Sequence, residues 1–383
     1  MKISSVKPIL YDPGGGKNWL LVRVETDEGL VGWGESYTQL DRDTAIAGHI
    51  MEMERYLLGW DPFHIKHFTY SLYTDFAKKR GGMDFYAAMS GIELALWDTA
   101  GKALGVPCYQ MLGGACRNKI RIYANGWYYG VKDDKEMAER AIELVEHGFT
   151  ALKFDPFRQA PWRNHVDRDA LEKASACVHM LRATLGPDID LLVECHRRLS
   201  PYNAIRLSEM ISECKPYWFE EPVSSRNLSA LAEVRSQTSL AVVTGEDLYT
   251  KLDFRKAFEC HAADIINPDI CNCGGLLEMK EIGAMAEAYE VAVSPHNYNS
   301  TTMALAATVQ AAALMPNFII TEYFWNFNDQ GKMLSEEPLD IRDGYVHLTE
   351  RPGLGLVVNE ERIAERPYRQ FPIRKLKRWC EEE

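Results

Sequence analysis

Residues 191–246 read LLVECHRRLSPYNAIRLSEMISECKPYWFEEPVSSRNLSALAEVRSQTSLAVVTGE. The three apolar runs in this stretch, LLVEC, YWFEE and AVVTGE, each end at or beside a glutamate, and residues 203–213 between the first two carry helical periodicity. A strand covered on both faces reads as such a run, because neither side alternates with water. The pattern continues outward. IYANGWY from Ile122 and ALKFD from Ala151 precede it; IINPD from Ile265, VAVSPH from Val291 and FIITEY from Phe318 follow, making eight runs. Helix-like stretches at 135–147, 169–185 and 275–289 lie between them. Eight strands alternating with helices predict a (β/α)8 barrel of the TIM type. A doubly wound sheet is the competitor, and it is disfavoured because reactive side chains end nearly every run, as in a barrel whose loops converge on one face.

The barrel pattern occupies residues 121–350, and residues 1–120 read as a separate α+β capping domain. Residues 2–10 and 19–25 are strand-like. The loop between them holds Gly14, Gly15, Gly16 and Lys17 but lacks the first glycine and the following Ser or Thr of a phosphate loop. Gly32 and Gly34, in VGWGES, miss the dinucleotide-binding spacing, so that segment is read as a turn. Residues 42–113 are helical in period, with GIELALWDTAGKAL at 91–104 the clearest case. Residues 351–383 open on a Pro-Gly turn and are expected to pack back on the cap and complete it.

The 383 residues are 46% hydrophobic and 26% charged, ordinary for a globular chain, and 43 Lys plus Arg against 55 Asp plus Glu leave a net charge of −12. That surplus and a pI near 5.4 argue against nucleic-acid binding. The apolar stretch 303–315 is too short to span a bilayer, and residues 1–10 lack a secretory signal, so the expectation is no membrane partner and a cytoplasmic location. Nine scattered cysteines do not form a disulfide framework, and Cys271 with Cys273 has no further zinc ligands nearby.

Lys153, Glu194, Glu220, Glu246, Asp269, His296 and Glu322 end the strand-like runs, with His196 two residues beyond Glu194. In a barrel these ends form one ring, so Glu194, Glu220 and Glu246, each 26 residues from the next, aim three carboxylates at one volume. Three like charges repel unless a hard cation sits among them, and oxygen-only ligation suits Mg2+, with Mn2+ as an alternative. His196 shares the parity of Glu194, and on a strand i and i+2 face the same way, so it is expected on the metal side.

FEEP at 219–222, TGE at 244–246, NPD at 267–269, SPH at 294–296 and PGLG at 352–355 resemble the enolase superfamily, mandelate racemase subgroup. The resemblance covers essentially the whole chain, including the GIELALWD helix. Pairing His196 in ECHRR with His296, without a second lysine on the second strand, is most similar to galactonate dehydratase and related sugar-acid dehydratases.

The resemblance implies a Mg2+-dependent lyase that removes the proton α to the carboxylate of an aldonate or aldarate and expels the β-hydroxyl, giving a 2-keto-3-deoxy sugar acid. It makes His296 the base, oriented by Asp269, and His196 the general acid. Lys153 stabilises the enediolate, and Glu322 hydrogen-bonds the substrate carboxylate or enediolate. Asp155 stands where racemases of this subgroup carry a second lysine; it is expected to bind substrate hydroxyls or to pair with Lys153. Glu194 departs from the aspartate usual at the first metal position. Two candidate lids are Lys78, Lys79 and Arg80 in the cap, and residues 157–165 with Trp162 and Arg163. A homo-oligomer is implied. A racemase, epimerase or cycloisomerase on the same pocket, or a non-catalytic ligand-binding barrel, are the alternatives.

Overall fold

The computed structural model describes residues 1–39, 41–157 and 166–372. The chain opens with an antiparallel meander of β1 (Ile3–Tyr11), β2 (Trp19–Thr26) and β3 (Val31–Ser36). Helices α1 (Asp43–Leu57), α2 (Ile65–Ser71), α3 (Met83–Leu104) and α4 (Cys108–Met111) follow. VGWGES is therefore strand β3, not the turn its glycines suggested. Those glycines serve clearance instead. A Cβ on Gly32 would stand 2.1 Å from Thr99 Oγ1 and 2.3 Å from the Ala95 carbonyl oxygen, and one on Gly34 would stand 2.1 Å from the Gly91 carbonyl oxygen, so the strand lies directly on α3. Gly34→Ala should accordingly destabilise the fold by about 1–3 kcal/mol through overpacking. Urea denaturation reads this as a lower midpoint at unchanged slope; an unmoved midpoint would show that the helix and sheet part without cost.

The alternating part runs β4 (Lys119–Asn125), α5 (Asp134–Glu146), β5 (Ala151–Phe154), α6 (Arg168–Leu185), β6 (Asp190–Glu194), α7 (Pro201–Ile211), β7 (Trp218–Glu220) and α8 (Leu228–Gln237). It continues with β8 (Val242–Thr244), α9 (Thr250–Glu259), β9 (Ile265–Ile266), α10 (Leu276–Ala288), β10 (Ala292–Val293), α11 (Met303–Ala312) and β11 (Thr321–Phe324). Neighbouring strands from β4 to β10 pair in parallel, β11 pairs in parallel with β4, and a bridge from Val293 to Phe318 closes the ring. All eight apolar runs are strands of this (β/α)8 barrel. After α12 (Asn328–Leu334), the hairpin β12 (Ile341–Arg342) and β13 (Tyr345–His347) adds to the start of β4 in antiparallel fashion, and α13 (Glu360–Ala364) follows.

Strand periodicity separates a floor from a site. Tyr123, Ala151, Leu192, Trp218, Val243, Ile265 and Ile320 form one buried apolar cluster, each from a different barrel strand or its approach. Two residues further along, on the same face, come Asn125, Lys153, Glu194, Glu220, Asn267 and Glu322, all buried. An apolar layer thus seals the barrel beneath a polar one.

Cap and barrel are joined by buried carboxylates. Glu93 of α3 accepts from the Leu276 and Leu277 amides at 2.7 and 3.0 Å, capping the N-terminus of α10. Asp98 accepts from the amides of Trp33 and Leu354, both at 2.8 Å, so GIELALWD anchors the PGLG turn as well as the sheet. Beyond it the chain returns to the cap, where Pro367 bridges Tyr11 and Asn18 exchanges hydrogen bonds with the Arg369 backbone. The eight described cysteines are free, Cys271 and Cys273 among them. No helix among the described residues is long and apolar enough to cross a membrane.

Candidate active site

The polar layer and the loops just above it gather the strand-end residues. One carboxylate oxygen from each of Glu194, Glu220 and Glu246 lies within 4.8 Å of the others. Burial and mutual repulsion push the carboxyls of Glu194 and Glu220 upward, that of Glu194 to about 7 even with the Lys153 ammonium opposing the rise. Glu194 Oε1 accepts from the His196 amide at 2.6 Å, while its buried Oε2 accepts no hydrogen bond among the described residues. An acceptor left bare among three converging carboxylates fits a hard divalent cation, and the longer arm of glutamate still presents one.

Lys153 reaches the triad from β5. Its Nζ donates to Glu220 Oε1 at 2.8 Å and lies 3.6 Å from both Glu194 Oε2 and Glu322 Oε1. Burial works against its charge, but Glu220, Glu322 and Glu194 outweigh burial and hold the ammonium well above the usual lysine range. Asn267 also donates to Glu220 Oε1 at 2.8 Å, and Trp218 Nε1 donates to Oε2 at 3.0 Å. Glu322 accepts from Asn125 Nδ2 and from the Asn297 amide at 2.8 Å. Its carboxyl is held below the usual range, burial being outweighed chiefly by Lys153 and His296.

His296 stands across the ring, in the loop after β10. Its Nδ1 donates to Asp269 Oδ2 at 2.7 Å, and Asp269 is itself fixed by the Cys271 amide at 2.8 Å and by Asn299 Nδ2. A carboxylate can only accept here, so Nδ1 carries the proton and Nε2 is the reactive atom. Nε2 lies 3.4 Å from Glu246 Oε2 and 3.6 Å from Glu322 Oε2. Burial lowers the imidazole's proton affinity, but Glu322, Glu246 and Asp269 raise it further, to about 9.

His196 does not follow strand parity. β6 ends at Glu194, and His196 and Arg197 both take the left-handed conformation, with φ of 46° and 63°. The turn brings His196 Nδ1 to Asp155 Oδ2 at 2.8 Å and Arg197 Nη1 to Glu246 Oε1 at 2.7 Å. Asp155 pairs with His196 and with Arg198 Nη1, at 2.6 Å, rather than with Lys153.

The cap roofs the ring. The Tyr37 ring packs on His296 with centroids 6.2 Å apart. Lys17, from the triple-glycine loop, donates to the carbonyls of Thr38 and Tyr298 at 2.9 and 2.7 Å, and Glu35 accepts from Ser300 and from the Ala304 amide in the first turn of α11. The end of β3 is thereby wired to the loop that carries His296. Of the 78–80 run, Lys79 lines a cavity of about 430 Å3 with Tyr86, Arg226 and Tyr249. Of the second candidate lid only Phe157, buried beneath Arg198, lies within the described residues; 158–165, with Trp162 and Arg163, lie outside them.

Several participants escaped the sequence reading. Arg197 and Arg198 lie inside the quoted ECHRR, and Asn267 inside NPD, so their position beside motif residues was the available signal. Asn125 ends its strand as Lys153 and Glu194 end theirs, but it does not titrate. Tyr37 carries no local sign of its place.

A family model described as the mandelate racemase / muconate lactonizing enzyme N-terminal domain matches residues 15–113, and one described as enolase C-terminal domain-like matches residues 136–362. The chain is 35% identical over 378 residues to the D-gluconate dehydratase of Thermoproteus tenax, covering 97% of this chain and 74% of the relative. It is 32% identical to the D-galactonate dehydratase of Verminephrobacter eiseniae, covering 96% and 94%. A crystal structure of an enolase superfamily member from Salmonella Typhimurium superposes with a TM-score of 0.90 at 30% identity, covering 96% of this chain and 98% of that one.

Proposed function

The chain belongs to the mandelate racemase / muconate lactonizing enzyme family of the enolase superfamily, and from that premise we propose that it dehydrates an aldonate or aldarate to the 2-keto-3-deoxy acid. The dehydratase class agrees with its gluconate- and galactonate-dehydrating relatives. One arrangement carries the mechanistic reading: an oriented imidazole, His296, and the Lys153 ammonium lie on either oxygen of Glu322 beside a largely buried carboxylate triad.

Glu194, Glu220 and Glu246 are the residues to hold Mg2+ or Mn2+. Bound there, the cation supplies the charge that stabilises the enediolate of a carboxylate losing its α-proton. His296 Nε2 takes that proton, with Asp269 fixing the ring and its tautomer. Lys153 holds its ammonium beside the developing oxyanion, and Glu322 positions the carboxylate end of the substrate. His196 gives a proton to the β-hydroxyl, which leaves as water, and the resulting enol becomes the 2-keto acid. No lysine stands at position 155 to serve as a second base, which favours elimination over racemisation.

The test is a panel of aldonic and aldaric acids incubated with Mg2+ and assayed for 2-keto acid. Conversion of one or a few stereoisomers is expected. No turnover of any member would overturn the assignment.

A further inference from the structure

We infer that Asp155, together with Arg198, is a positioning residue for His196, forming a second carboxylate–imidazole pair opposite His296 and Asp269, rather than a ligand for substrate hydroxyls. The inference deepens the dehydratase reading and rests on it. Asp155 is 4% exposed and most of its acceptor capacity goes to protein donors: Oδ1 takes the Phe157 amide at 2.8 Å, and Oδ2 takes His196 Nδ1 at 2.8 Å and Arg198 Nη1 at 2.6 Å. A carboxylate offers about four lone-pair sites, so three are already taken. Burial would raise its carboxyl, but His196 and Arg198 outweigh burial and hold it below the usual range, in the ionised form this pairing needs.

The turn that delivers His196 is costly and heavily braced. Two consecutive left-handed residues that are not glycine cost about 1–2 kcal/mol each. Against this stand His196 N–H on Glu194 Oε1 at 2.6 Å, Arg197 N–H on the Glu221 carbonyl at 2.7 Å, and Arg198 N–H on the Cys195 carbonyl at 3.1 Å. The side chains add Arg197 on Glu246 and Arg198 on Asp155. Strain that persists because its surroundings over-determine it is the mark of a geometry kept for function. One four-residue turn therefore ties His196 to two triad glutamates on one side and to the second-strand carboxylate on the other.

The role separates the two halves of the reaction. Removal of the α-proton belongs to His296; departure of the hydroxyl belongs to His196. Asp155→Asn is therefore expected to lower kcat for dehydration by about 10²- to 10³-fold, with KM changed less than about threefold. In D2O the same variant should still exchange the α-hydrogen of the sugar acid that the wild type converts, and His196→Asn should mask the substitution, the double variant being little slower than His196→Asn alone. Arg198→Lys, which leaves the carboxylate in place, is read if Asp155→Asn does not fold, and should lower kcat in the same direction at unchanged KM. A raised KM at preserved kcat would make Asp155 a substrate ligand, and parallel loss of exchange and dehydration would make it merely structural; either overturns the inference. Failure of the parent reading shows separately, as a wild type inactive on every acid, and the inference falls with it.

Discussion

Replacing His296 with asparagine is expected to abolish measurable dehydration, a fall of about 10³- to 10⁴-fold in kcat, and to abolish α-hydrogen exchange in D2O to the same extent. The two losses coincide because, among the described residues, His296 Nε2 is the only imidazole nitrogen within salt-bridge distance of both Glu246 and Glu322. Asparagine keeps a polar group of similar reach without a base, so KM should move far less than kcat. Asp269→Asn should act in the same direction: an amide can present its NH2 to Nδ1 and turn the ring to the wrong tautomer. The contrast with His196→Asn is the informative part. That variant should lose dehydration yet retain exchange, and loss of both in both variants would contradict the division of labour.

Removing the cation should cost nearly as much. Chelation is expected to eliminate turnover, and Mg2+ or Mn2+ to restore it. Stability gives an independent reading: a ligand at 100 times its Kd stabilises the folded state by about 2.7 kcal/mol, so Mg2+ should raise the melting midpoint of the chelated wild type. Glu194→Gln replaces an oxygen of the triad with an amide and should remove that shift. A wild-type midpoint indifferent to Mg2+ would argue that the triad holds no metal. The usual aspartate at the first position is shorter than Glu194, but here one oxygen of Glu194 takes the His196 amide and the other accepts no hydrogen bond among the described residues, so on the proposed reading the substitution still offers an oxygen to the cation.

The barrel was legible because its strands are buried on both faces, which makes each an uninterrupted apolar run ending where the polar layer begins. Glu194 and Glu220 end their strands as read, while Glu246 lies two residues past β8, beyond the Gly245 bend. What was not legible depends on partners far away in the chain. Gly32 and Gly34 look like turn residues until α3, some sixty residues on, lies against them. Parity placed His196 on a strand that had already ended, and the left-handed turn that moves it is braced by Glu221, on the neighbouring strand's end. Asp155 sits two residues from Lys153 and pairs instead with the loop of the next strand. Spacing along one segment shows which face a side chain leaves from, but not which charge from another segment is waiting for it.

The central claim, elimination begun by His296, is tested most directly by running the reaction in D2O with Mg2+ and following the product by mass spectrometry. The account predicts a 2-keto-3-deoxy acid that has lost the elements of water and carries one solvent deuterium at C3, formed by the wild type and not by His296→Asn. Recovery of a substrate or epimer deuterated at the α-carbon with no keto acid, or an undiminished yield from His296→Asn, would contradict it.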